Sequence, residues 1–224
     1  MIVWVVGVLF FLLVAFALLA PLDSLRWWSS QGAVQARRTM ALSAHPPAEV
    51  AAPADGPQRF VVYLSGIGVV DGAGISRREQ AVWHRVEREL PRAEIVMDVF
   101  PYAADDRNLL QRATNWLWAW LDKRRRGHRE SVAPYLINLR NVLQVLVSAD
   151  PRYGPTMNAG LALAIWDALQ GHGYVPGSKV PVTLVGFSGG GQMALGAATM
   201  LSLLGVPVSV VSIGGVFSAD PAFD

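Results

Sequence analysis

No cysteine occurs anywhere in the 224-residue chain. That absence removes disulfide staples, thiolate metal sites and a cysteine nucleophile together. Charge is also sparse: 16% of residues are Asp, Glu, Lys or Arg, and the formal net charge is +2. With no basic face, nucleic acid is not an expected partner. Histidine is scarce, and the four present are His45, His84, His128 and His172. None falls at metal-ligand spacing with Asp71 or with Asp105-Asp106-Arg107, so no metal site is expected. No P-loop is present, because Gly191 is followed by Gln192 where that motif needs lysine. A dinucleotide site would use Gly66, Gly68 and Gly72 with Asp98 as ribose partner. The glycine spacing departs from G-x-G-x-x-G, and no cofactor is expected. No internal repeat is found.

Apolar residues are plentiful, at 52%, and many lie at the start. Met1 to Ala20 contains no charged side chain. About 20 apolar residues in a helix span the roughly 30 Å hydrocarbon core of a bilayer. Pro21 ends the run, and Trp27 and Trp28 follow, residue types that favour the headgroup level. No basic segment precedes the run and proline follows it, so it reads as an uncleaved anchor rather than a signal peptide. Arg26, Arg37 and Arg38 on the C-terminal flank place the main domain on the cytoplasmic side by the positive-inside rule. The expected division is a single transmembrane anchor at 1–22, a juxtamembrane segment and linker at 23–58, and a globular domain at 59–224. His45 to Pro57 is rich in Pro and Ala and reads as a semi-rigid spacer.

From Arg59 onward strands and helices alternate. Phe60 to Leu64, Glu94 to Phe100, Val182 to Val185 and Val206 to Ile213 read as strands. Ser76 to Leu90 reads as a helix opened by a capping box, with Glu79 three residues after Ser76. Asn108 to Leu121, Val132 to Val147, Thr156 to Leu169 and Gly190 to Leu204 read as further helices. This alternation predicts an α/β fold: a mostly parallel open sheet with helices on both faces. Two successive helices between Ala103 and Asp150 interrupt the rhythm and read as an inserted lid. In that insert, Lys123 to Arg126 sit at a helix end, where cations complement the dipole. Trp116, Trp118 and Trp120 cannot all share one helix face.

One turn concentrates the chemistry. Gly186-Phe187-Ser188-Gly189-Gly190 matches G-x-S-x-G between a predicted strand and a predicted helix. A nucleophile on such a turn sits in a strained backbone, and small residues two before and two after it allow the chain to pass close to its neighbours. The helix that begins there points N–H groups and its positive end towards an oxyanion.

On these residues the stretch from about 59 to 217 resembles the α/β-hydrolase family. The resemblance implies Ser188 as nucleophile and the Gly189 N–H as one oxyanion donor. It implies a second donor, the Ile67 N–H, from Ser65-Gly66-Ile67-Gly68, where the family often carries His-Gly-x-Gly; serine replaces that histidine here. In the family an acid and then a histidine follow the nucleophile. All four histidines here precede Ser188. The resemblance therefore implies a chain that stops short of its base, with Asp220 and Asp224 where some members place the acid. Among the histidines present, His172 lies in a Gly-rich turn that would carry it towards the sheet edge. The expected function is a membrane-anchored serine hydrolase for a small-molecule or lipid ester or thioester. The alternative is a non-catalytic anchored α/β domain that binds a partner or lipid.

Overall fold

The computed structural model describes residues 47–69, 71–102, 133–215 and 217, with isolated positions at 4, 7–8, 10–12, 15, 41–42, 44, 120–121 and 123–124. Strand β1 (Arg59–Leu64) leads through a 3-10 turn (Gly72–Gly74) to helix α1 (Arg77–Glu89) and strand β2 (Ala93–Val96). Helices α2 (Ala133–Ala149) and α3 (Gly154–Gly171) come next, then β3 (Val182–Phe187), α4 (Gly189–Leu203) and β4 (Val208–Ile213). The four strands form one sheet in the order β2-β1-β3-β4, and every pair is parallel. This is the expected α/β architecture.

The pleat of β1 explains why helices cover both faces. Alternate side chains of a strand point to opposite sides. Phe60, Val62 and Leu64 join Leu161, Ile165, Met193 and Leu201 in the main core beneath α3 and α4. Val61 and Tyr63 join Val185 and Trp83 of α1 in a smaller core on the other face. Handedness gives the same result. The β1-α1-β2 and β3-α4-β4 units step in opposite directions along the sheet, and right-handed crossovers then place their helices on opposite faces. The capping box at Ser76 is formed, with Ser76 N donating to Glu79 Oε2 at 2.9 Å and Glu79 N to Ser76 Oγ at 3.2 Å. Tyr63 Oη also donates to Glu79 Oε1 at 2.7 Å, tying the start of α1 to β1. Burial opposes ionisation of Glu79, but these hydrogen bonds outweigh it and hold the carboxyl below its usual range.

Two expectations are corrected. The second strand ends at Val96 rather than Phe100, because its pairing with β1 stops at Val62. Residues 47–58 have no helix or strand, and within them Val50 N donates to Gly177 O at 3.1 Å. The helix expected as part of a lid, α2, instead carries Leu136 and Ile137 into the main core. Its polar side chains Arg140, Asn141, Gln144 and Ser148 are buried, whereas Tyr135 and Leu146 are 78% and 60% exposed. The rest of the expected lid (103–119, 122 and 125–132) lies outside the described residues, as does most of the expected anchor at 1–22. Among the described residues no helix is long and apolar enough to cross a membrane.

Candidate active site

The chain leaves β1 for β2 on one side and later returns to place β3 on the other. In open parallel sheets such a reversal opens a crevice at the carboxyl ends of the two strands. Leu64 pairs with Gly186, so the 65–68 turn and the serine turn leave the sheet side by side at that edge. They touch: a Cβ on Gly66 would lie 3.1 Å from Phe187 Cδ1, and one on Gly189 would lie 2.8 Å from Ile67 Cγ2. The structure thus brings Ser188, Gly189 and Ile67 together.

Ser188 stands at the head of α4 with φ 52° and ψ −121°. Among the described residues Lys179 is the one other non-glycine with positive φ. An L-residue held there stores about 1–3 kcal/mol of strain, which the surroundings must impose. They do so through Ser188 N donating to Ile213 O, and Gly191 N donating to Ser188 O, both at 2.9 Å. The flanking glycines are required by close approach. A Cβ on Gly186 would strike the carbonyl of Gly190, and one on Gly190 would strike the carbonyls of Leu64 and Ser65. The Ser188 hydroxyl makes no capping bond to its own helix, and the residue is partly exposed. Gly189 is the first residue of α4, so its N–H has no intrahelical acceptor and points to the spot where an anion is favoured.

Four further residues pack around the two turns. Asn141 Nδ2 donates to Ile67 O at 2.6 Å. Arg140 Nη1 donates to Tyr102 O and to Asn141 Oδ1, each at 3.3 Å. Burial lowers the Arg140 guanidinium to about 10. Tyr102 Oη and Val145 Cγ2 both crowd the position of a Gly189 Cβ, each at 2.8 Å. The available signal for Arg140 and Asn141 was a polar stripe on an apolar helix, a pattern ordinarily assigned to the solvent side. Tyr102 had no local signal.

The two described histidines go elsewhere. His84 is on the exposed side of α1, with Nδ1 3.1 Å from Glu87 Oε2. His172 caps the end of α3, and its Nδ1 and Nε2 lie 2.7 Å from Glu94 Oε1 and 3.2 Å from Asp98 Oδ2. It is bound beside the edge strand β2, not carried to Ser188, because two carboxylates there outcompete a neutral hydroxyl for the ring. Asp98, considered as a ribose partner, is engaged by the same contact. His45, His128, Asp105, Asp106, Asp220 and Asp224 lie outside the described residues. Among the described residues no group of three or more His, Asp or Glu side chains is arranged to hold a metal ion. No protein-family model, curated protein or solved structure matches the chain.

Proposed function

We propose that this chain is a membrane-anchored serine hydrolase of the α/β-hydrolase type, acting on an ester or thioester of a small molecule or lipid. The observation that carries the reading is the backbone of Ser188, held at φ 52° and ψ −121° on a strand-to-helix turn at the crevice. Ser188 Oγ attacks the carbonyl carbon, and the carbonyl oxygen becomes an oxyanion facing the Gly189 and Ile67 N–H groups. Collapse of that intermediate breaks the C–O or C–S bond, releases the alcohol or thiol and leaves an acyl-serine, which water then hydrolyses. The proton from Oγ must pass to a base and on to the leaving group. Neither His84 nor His172 is placed to take it, so the base is assigned to a residue beyond those described. The anchor is assigned to residues 1–22, and its flanking arginines put the domain on the cytoplasmic side.

A non-catalytic anchored domain that binds a partner or lipid is favoured by one observation, the engagement of both described histidines away from Ser188. The two readings separate by intact-mass spectrometry of the full chain with excess p-nitrophenyl butyrate at about pH 9. Hydroxide can there substitute for a base, and an oxyanion site with binding alone sustains rates about 10³–10⁴-fold over water. One butyryl adduct mapping to Ser188 and absent from Ser188→Ala is expected. No adduct, or only scattered lysine adducts, supports the binding module.

A further inference from the structure

Tyr102 is fully buried, and among the described residues its hydroxyl has no hydrogen-bond partner. A buried O–H without a partner has lost its hydration with nothing in return, so one in a native core calls for a physical reason. Its location supplies one. Tyr102 Oη packs against the first residue of α4, so closely that a Cβ on Gly189 would come within 2.8 Å of it. Ile67 Cγ2 crowds the same point, also at 2.8 Å. The hydroxyl is therefore beside the first residue of α4, whose N–H is assigned to the oxyanion, and near the Ile67 side chain.

We propose that the Tyr102 hydroxyl is a third hydrogen-bond donor to the oxyanion formed at Ser188, and so a catalytic residue of this site. The inference rests on the nucleophile reading and deepens it. Among the described residues the hydroxyl has no acceptor; the developing negative charge provides one, so the bond strengthens only as the transition state is reached. Burial pushes the phenol well above its ordinary pKa, so it remains a protonated donor in alkaline solution. The mount is rigid. Arg140 holds the Tyr102 carbonyl while Asn141, bonded to the same guanidinium, holds the Ile67 carbonyl, so one helix fixes the side-chain donor and one backbone donor together.

The test is Tyr102→Phe in the full chain, which removes one oxygen and keeps the ring. Butyrylation of Ser188 by p-nitrophenyl butyrate at about pH 9 should slow by about 10²-fold, the usual loss for one oxyanion donor. Phenylboronic acid, whose serine adduct is tetrahedral and anionic, should bind the variant about tenfold more weakly on the same grounds. The melting temperature should stay level or rise, since an unpaired buried hydroxyl is lost. Equal butyrylation of parent and variant overturns this inference and leaves the nucleophile reading standing. Slower butyrylation with a lowered melting temperature and unchanged boronate affinity assigns Tyr102 a packing role and also overturns it. A parent chain that forms no Ser188 adduct removes the nucleophile reading, and this inference with it.

Discussion

Asn141 Nδ2 donates a 2.6 Å hydrogen bond to the carbonyl oxygen of Ile67, a residue 74 positions earlier in the chain. The bond fixes the backbone of the turn after β1 from a helix that begins at Ala133. Asn141 is itself fully buried, so this bond has no ready competitor in water. Replacing it with alanine leaves the Ile67 carbonyl without its donor at about 1–3 kcal/mol. Asn141→Ala should lower the urea midpoint accordingly and slow Ser188 butyrylation more than an equally destabilising change in the smaller core, such as Val61→Ala. Equal slowing would mean that Asn141 acts through global stability alone.

The strain at Ser188 has a thermodynamic signature. Glycine tolerates positive φ, whereas alanine is penalised there as serine is. Ser188→Gly should therefore exceed Ser188→Ala in unfolding free energy by about 1 kcal/mol, the relieved strain less the extra chain entropy of glycine. Both variants lose the nucleophile, so activity does not confound the comparison. Denaturant unfolding measures it, and an alanine variant as stable as the glycine one would mean that the turn is unstrained.

Gly190 is a test of close approach. Its added methyl would meet the carbonyls of Leu64 and Ser65, which are backbone atoms of a central strand and its turn. Gly190→Ala should cost about 1–3 kcal/mol or prevent folding, as overpacking in a rigid interior does. Gly205→Ala is the control: nothing lies within 4 Å of the new methyl there, although φ is +79°. Its cost should be limited to the backbone conformation and be the smaller of the two. Thermal melts of the pair decide the matter.

His172 makes stability pH-dependent. The hydrogen bond to Glu94 raises its pKa; partial burial opposes this, and Asp98 adds to the rise. A raised folded pKa means that the folded state holds the proton more tightly than the unfolded chain. The stabilisation is complete below the unfolded value of about 6.5 and is lost as pH climbs through the higher folded value. Melting temperature should therefore fall as pH rises above about 6.5, and His172→Gln should flatten that slope. An unchanged slope in the variant would show that the pair contributes nothing to the pH dependence.

The assignment of an anchor to residues 1–22 predicts that the full chain stays in the membrane pellet after carbonate extraction, because about 20 apolar residues bind a bilayer without electrostatic help. Release into the supernatant would argue for a peripheral protein.

The sequence by itself determined the elements and the turn that joins two of them. Valine-rich runs and the Ser76–Glu79 box are local patterns, and their spacing set β1, α1, β3 and α4 to within a residue or two of where they lie. Gly186 and Gly190 were legible for the same reason, since a strand-to-helix turn around a serine needs both within five residues. Local patterns do not specify which distant surfaces meet. The burial of the polar side of α2, the pairing of His172 with Glu94 across 78 positions, and the approach of Tyr102 to Gly189 all depend on sheet order and helix packing. A buried asparagine or arginine is tolerable only when partners from other elements reach it. Tertiary structure supplied those partners: the Tyr102 carbonyl for Arg140 and the Ile67 carbonyl for Asn141.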